Sequence, residues 1–125
     1  RCKPNALAWE TGTGCSSLFY GLEQSTNLLF ETDADKIESY LEELTDYFCE
    51  IVSNLYYEIV SSREPGEKSQ IVCIRNRSGL SPNEIAGRLQ EKNIIVSPRN
   101  DRIRIAPHFF NTFEEVKDLV ENLPQ

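Results

Sequence analysis

Two arginines alternate with two isoleucines in the segment Arg102-Ile103-Arg104-Ile105. Because successive side chains of a strand point to opposite faces, this order sends the isoleucines into a core and the arginines to the other face. A guanidinium group held by such a strand can donate paired hydrogen bonds to a carboxylate or a phosphate. The segment therefore predicts a strand that presents a cation to an anion.

The residues after this strand predict a rigid corner and then a helix. Pro107, His108, Phe109 and Phe110 lie in the corner, and Thr112 with Glu115 has the spacing of a capping box. Apolar residues at helical spacing follow and end at Pro124. We expect Pro107 to make a turn, the two phenylalanines to fill the core, and His108 to be a hydrogen-bonded corner residue rather than a catalyst.

Composition limits the class of protein. The chain has 125 residues, 39% of them hydrophobic, which fits one globular domain with a modest core. Residues 1–62 hold 3 Lys+Arg against 11 Asp+Glu, net −8, and residues 63–125 hold 10 against 9, net +1. The basic groups are therefore local, which argues against a general nucleic-acid binder and leaves a small anionic ligand open.

The cysteines and the lack of special segments indicate a cytoplasmic protein. Cys2, Cys15, Cys49 and Cys73 are widely spaced, so neither a zinc knuckle nor a disulfide framework is predicted, and we expect reduced, buried thiols. No apolar run is long enough to span a bilayer, and no basic-then-apolar leader opens the chain. The absence of methionine suggests a piece of a longer polypeptide.

Periodicity predicts an α+β fold with a small antiparallel sheet of about three strands, covered on one face by helices. One helix covers residues 18–29, and a second, capped by Thr32, carries an apolar stripe over residues 37–55. A strand at 71–74, a helix opened by the capping box Ser81-Pro82-Asn83-Glu84 and stopped at Asn93, and strands at 94–96 and 102–105 follow. Residues 56–60 have the composition of a further short strand, and Asn100-Asp101 suits a hairpin. The expected order is two helices, then strand-helix-strand-strand-helix.

The segment Arg104-Ile105-Ala106-Pro107-His108-Phe109-Phe110-Asn111-Thr112, followed by Glu114-Glu115-Val116, resembles the C-terminal signature of class V aminotransferase-type enzymes, which are fold type I and depend on pyridoxal phosphate. Trp9-Glu10-Thr11-Gly12-Thr13 is similar to the segment that precedes the small domain in the same enzymes. Together the two resemblances cover nearly the whole chain. They imply a C-terminal small domain, with residues 1–31 as an interdomain loop and helix and residues 32–125 as the α+β sandwich.

The resemblance also implies roles for particular residues. Arg104 would bind the α-carboxylate of an amino-acid substrate, and Arg102 is expected to be a surface residue. Gly12 and Thr13 would reach the cofactor phosphate of a partner subunit, and a Gly-Thr-Gly loop before a helix can supply the amide donors for this contact. The implied partners are a large domain that binds the cofactor and a second subunit of a homodimer, with no nucleic acid and no membrane.

Departures from the family pattern limit the reaction classes that the resemblance leaves open. No cysteine follows Cys73, and only five residues separate Val96 from Arg102, which weighs against a cysteine desulfurase and toward an aminotransferase, an epimerase or a lyase. No lysine follows a histidine, so the Schiff-base lysine is expected to lie outside this chain, and the chain is expected to be inactive alone. No catalytic residue and no metal ligand is predicted within it.

Two other functions remain open from the sequence. An α+β sandwich of this kind could bind an amino acid as a regulatory module without catalysis. The second alternative is a nucleic-acid module, which would use Arg75, Arg77, Arg88, Lys92, Arg99, Arg102 and Arg104. The strand at 71–74 lacks an aromatic platform for stacking bases, so this reading ranks last.

Overall fold

The computed structural model describes residues 14–125 and divides the chain into two compact units, Arg1–Ala34 and Asp35–Gln125. The helices are α1 (Ser16–Thr32), α2 (Ala34–Val52), α3 (Pro82–Gln90) and α4 (Phe113–Glu121). The strands are β1 (Tyr57–Ile59), β2 (Val72–Asn76), β3 (Ser97–Arg99) and β4 (Arg102–Ile105). No helix among the described residues is both long enough and apolar enough to cross a bilayer.

The four strands form one antiparallel sheet in the order β1-β2-β4-β3. The α+β fold with a small antiparallel sheet is therefore confirmed, but the sheet has four strands rather than about three. The added strand is β1, whose Ile59 is paired with Ile74 of β2. The hairpin predicted around Asn100-Asp101 is also confirmed, because Arg99 and Arg102 form the pair that closes it.

The core lies between one face of the sheet and α2, α3 and α4. The sheet contributes alternate residues, and all of these are buried: Tyr57, Val72, Ile74, Ile103 and Ile105. The helices contribute apolar residues at helical spacing: Leu44, Phe48, Val52, Ile85, Leu89, Val116, Leu119 and Val120. This burial fixes which way β4 faces, because turning the strand over would expose both isoleucines.

The strand predicted at residues 94–96 is wrong, because β3 starts at Ser97. Asn100 has φ 49°, so Asn100 and Asp101 form the turn and the pairing runs back only to Ser97. The Ile94 amide donates to the Leu89 carbonyl at 3.0 Å, which ties this segment to the end of α3. Ile95 is accordingly 87% exposed rather than part of a strand.

Helix boundaries confirm two of the three predicted caps. Ser81 with Glu84 and Thr112 with Glu115 each form a complete capping box. The prediction that Thr32 caps the second helix is wrong, because Thr32 is the last residue of α1 and its hydroxyl donates to the Leu28 carbonyl at 2.9 Å. Asp33, with φ 75°, separates the two helices.

Helix α1 is the described part of the first unit, and none of its residues is buried. Its large apolar side chains are all substantially exposed: Leu18, Phe19, Tyr20, Leu22, Leu28, Leu29 and Phe30. The helix that the sequence predicts at 18–29 is confirmed by α1.

Candidate functional site

The second face of the sheet, opposite the core, carries four arginines. We call it the arginine face and define it by Glu58, Cys73, Arg75, Ser97, Arg99, Arg102 and Arg104. These residues share one face because directly paired residues point the same way and alternate with the buried residues of their strands. Four guanidinium groups stand against the carboxylates of Glu58 and of Asp101, which lies in the adjoining turn. The face therefore has more positive than negative charge.

In one row of this face, formed by Glu58, Arg75, Arg102 and Arg99, two of the arginines are engaged in ion pairs. Asp101 Oδ2 lies 2.7 Å from Arg75 Nη2, and Asp101 Oδ1 lies 2.8 Å from Arg102 Nε. Glu58 adds a 3.3 Å contact to Arg75 Nη1. Hydrogen bonds from Arg102 and Arg75 lower the pKa of the Asp101 carboxyl, and the bond to Asp101 raises the pKa of Arg102. Arg75 thus contacts a carboxylate through all three of its nitrogens, whereas Arg102 does so through its Nε atom.

Arg104 differs from these two arginines. It lies in the next row, directly between Cys73 of β2 and Ser97 of β3, and it has no ion pair with any of residues 14–125. Its Nε atom is buried and has no hydrogen-bond partner within the described part of the chain. A buried donor without a partner costs about 1–3 kcal/mol, so an arginine in this state has capacity for an anion.

The corner after β4 is fixed by Asn111. The Asn111 side-chain oxygen accepts from the His108 amide at 2.9 Å, and its side-chain nitrogen donates to Glu115 Oε2 at 3.2 Å. Its backbone carbonyl accepts from the Tyr40 hydroxyl at 2.7 Å. The corner that follows β4 is therefore held by both α2 and the first turn of α4.

Glu115 completes this attachment. Its carboxylate accepts from the Thr112 amide at 2.9 Å as well as from Asn111. These two bonds, with the Thr112 amide as the larger cause, lower the pKa of the Glu115 carboxyl. The charge also faces the positive end of the α4 dipole.

Three aromatic rings stack on this corner. The His108 ring lies 4.7 Å from the ring of Phe109 and 5.0 Å from that of Phe110, almost parallel to the latter. The prediction that His108 is hydrogen-bonded is only partly right, because its amide is bonded but its buried Nδ1 has no partner among the residues that the structure describes. The prediction that both phenylalanines fill the core is wrong, because Phe110 is 71% exposed and Phe109 is half-buried and outside the hydrophobic core.

Other site predictions have separate outcomes. Arg102 is ion-paired and half-buried rather than a fully solvated surface residue. Gly12 and Thr13 lie outside the described residues. Cys15 is exposed, and Cys49 and Cys73 are only half-buried, so the prediction of buried cysteines is wrong for these three. Cys2 lies outside the described residues.

Sequence reasoning missed Asp101, Asn111 and Ser97. Asp101 could have been found, because a carboxylate in a two-residue hairpin turn lies beside the arginine that follows it. Asn111 precedes a capping box, which is a weaker signal. Ser97 could not be placed beside Arg104 without the register of β3 on β4.

The described residues do not fit a pyridoxal phosphate site of their own. A Schiff-base lysine needs an amine whose pKa is depressed. Lys68 instead lies 2.8 Å from Asp46 and 2.9 Å from Glu42, and these bonds raise its pKa. Lys117 lies 3.6 Å from Glu121 on the outer side of α4, and Lys36 in α2 and Lys92 after α3 are both exposed.

Comparisons with known proteins give one sequence relative and a group of similar folds. No family model matches the chain. An uncharacterised aminotransferase of Bacillus subtilis (strain 168), YcbU, is 25% identical over 118 residues, which cover 94% of this chain and 31% of that protein. The chain therefore spans about a third of the length of this relative.

Two solved structures share the fold. The apo structure of a cysteine desulfurase from Thermococcus onnurineus NA1 matches with a TM-score of 0.84 and 20% identity, over 97% of this chain and 33% of that one. The cystine C-S lyase C-DES, in complex with its reaction product cysteine persulfide, matches with a TM-score of 0.80 and 18% identity, over 92% of this chain and 31% of that one. The resemblance that the sequence predicted is thereby confirmed: this chain is similar to a segment, about one third in length, of class V aminotransferase-type enzymes.

Proposed function

We propose that the chain is the C-terminal small domain of a pyridoxal-phosphate-dependent class V aminotransferase-type enzyme that acts on an amino acid. The observation that supports this most directly is the state of Arg104, a half-buried arginine with no ion pair among residues 14–125, on a strand fixed from behind by two buried isoleucines. In the intact enzyme Arg104 binds the α-carboxylate of the substrate.

The physical argument for Arg104 is comparative. Arg75 and Arg102 share its face, but both give hydrogen bonds to Asp101. Asp101 also places a negative charge beside both of them, which repels an external carboxylate, whereas Arg104 has no carboxylate beside it among residues 14–125. Arg99 shares the face, but it is exposed and its Nη1 atom donates to the Pro98 carbonyl at 3.0 Å. A guanidinium group suits the task because its planar donors match both oxygens of a carboxylate.

The corner at residues 106–112 positions this arginine. β4 ends at Ile105, and the next fixed point is Asn111, which is bonded to α2 through Tyr40 and to α4 through Glu115. A strand held at both ends keeps its side chains in one geometry, and catalysis loses rate when substrate groups shift by as little as about 1 Å. The role of the domain is to orient the substrate.

The cofactor contacts are assigned by resemblance. We place Gly12 and Thr13 at the phosphate of the cofactor held by a partner subunit of a homodimer, and the Schiff-base lysine in a large domain outside this sequence. The chain alone is then inactive. Cytoplasmic localisation remains part of the same proposal.

We favour an aminotransferase, an epimerase or a lyase over a cysteine desulfurase. The connection between β3 and β4 is the two-residue turn Asn100-Asp101, and no cysteine follows Cys73 in the sequence. A persulfide-forming cysteine on a long loop therefore has no counterpart in this part of the chain.

The proposal is tested in the full-length protein that contains this chain. Arg104→Ala should weaken use of the amino-acid substrate by about 1.5–3 kcal/mol, the range for hydrogen bonds to charged groups, while the absorbance of the bound cofactor is retained. Unchanged kinetics would remove Arg104 from the site. Saturable, stereospecific binding of an amino acid by the 125-residue chain alone would instead favour a regulatory module.

A further inference from the structure

Arg104 has a serine and a cysteine as its direct neighbours across the sheet. The register pairs Arg104 with Cys73 of β2 on one side and with Ser97 of β3 on the other. Directly opposed residues of an antiparallel pair have Cβ atoms about 4.5–5.5 Å apart and point to the same face. Cys73, Arg104 and Ser97 therefore form one row across the arginine face.

The Ser97 hydroxyl is an unused donor in this row. It forms no hydrogen bond with any of residues 14–125, although Ser97 is half-buried. A serine hydroxyl rotates freely and donates one hydrogen bond. Two donors, the Ser97 hydroxyl and the Arg104 guanidinium, thus lie side by side, and neither has a carboxylate partner in the described chain.

The other neighbour offers no competing acceptor. Cys73 carries a free thiol, which is only a weak acceptor, and its backbone is fixed by the Ser61 hydroxyl at 2.8 Å and by the Val60 amide at 2.8 Å. The arginines of the adjacent row, Arg75 and Arg102, both contact the Asp101 carboxylate of the turn. The row of Arg104 has two donors where that row has a carboxylate.

We propose that Ser97 is a second binding residue for the carboxylate held by Arg104, with Cys73 as the opposite wall of the site. Both carboxylate oxygens accept from the guanidinium group, and one of them also accepts from the Ser97 hydroxyl. This inference rests on the proposed role of Arg104. The Ser97 hydroxyl adds a hydrogen bond to the carboxylate. The reactivity of the Cys73 thiol then reports whether the site is occupied.

The test uses sodium acetate as the probe and the isotopically labelled 125-residue chain, with sodium chloride at equal concentration as the control for ionic strength. Acetate should shift the nuclear magnetic resonance signals of the Arg104 Nε–H group and of the Ser97 amide saturably. Ser97→Ala should weaken this binding roughly tenfold, and Ser97→Thr, which keeps the hydroxyl, should restore it. Acetate should also slow alkylation of Cys73 by N-ethylmaleimide, but not that of the exposed Cys15 in the same molecule.

The outcomes separate the two proposals. If Ser97→Ala binds acetate as tightly as the wild-type chain while Arg104→Gln does not bind it, the Ser97 contact is overturned and the Arg104 anchor stands. If the wild-type chain and Arg104→Gln respond alike, the carboxylate site itself is overturned, and the proposed function loses its main support.

Discussion

The Tyr40 hydroxyl donates a 2.7 Å hydrogen bond to the backbone carbonyl of Asn111, 71 residues further along the chain. This bond joins the first half of α2 to the corner that follows β4. The ring of Tyr40 also packs edge-on against Phe113, with ring centroids 5.8 Å apart. The corner is thus held by a residue remote in sequence, and its stability can be measured separately from any activity.

Tyr40→Phe should lower the free energy of unfolding by about 1 kcal/mol, because the ring contact is kept and one partly buried hydrogen bond is lost. Urea denaturation of the 125-residue chain measures this. Tyr56→Phe is the matched control, since Tyr56 is 65% exposed and should change stability by less than about 0.5 kcal/mol. Equal effects of the two substitutions would show that the bond to Asn111 does not hold the corner.

Thr112→Ala should lower the free energy of unfolding by about 1 kcal/mol, the typical loss for an N-cap residue. Thr112 accepts from the Glu115 amide at 3.2 Å, and Glu115 accepts from the Thr112 amide in return. Thr112→Ser keeps the cap and should retain most of the stability. If serine were as damaging as alanine, the threonine methyl group rather than the capping bond would be responsible.

The carboxyl group of Asp46, in α2, should make the stability of the fold depend on pH in the acid range. Hydrogen bonds from Lys68 and then Arg63 lower the pKa of the Asp46 carboxyl below its usual value of 3.8. Since the folded pKa lies below the unfolded one, this stabilisation is complete above the unfolded pKa and is lost as pH falls through the folded pKa. Its size is at most about 1 kcal/mol, because the Asp46 side chain is 45% exposed and screened by solvent.

The check is to compare urea unfolding of the wild-type chain and Asp46→Asn at pH 6 and at pH 3. The stability difference between the two proteins should be largest at pH 6 and shrink at pH 3, because protonation removes the charge that the asparagine lacks. A difference that stays constant with pH would mean that the ion pairs of Asp46 do not stabilise the fold.

The sequence predicts local features well where one physical cause dominates. The capping boxes at Ser81 and Thr112 follow from residue spacing alone, and the inward direction of Ile103 and Ile105 follows from alternation. Thr32 shows the opposite case, since a threonine can cap a helix or bond back to the carbonyl four residues earlier, and composition does not decide between the two.

The site depends on pairing that a single sequence does not specify. Arg102 and Arg104 are equivalent by alternation, and only the Asp101 turn and the strand register separate an ion-paired arginine from an unpaired one. The apolar run at 94–96 predicted a strand, but Asn100 set the turn and shifted the pairing to Ser97. This shift is what brings Ser97 beside Arg104.

The most direct test of the central claim compares two arginines of the same strand in the full-length protein. Arg104→Gln should lower kcat/KM for the amino-acid substrate by a factor that corresponds to a loss of about 1.5–3 kcal/mol in transition-state stabilisation. Arg102→Gln should change this free energy by less than about 0.5 kcal/mol. Both variants remove one charge from the arginine face, so general electrostatics cannot explain a difference between them. Equal losses in the two variants, or a larger loss for Arg102→Gln, would contradict the assignment of Arg104 as the carboxylate anchor.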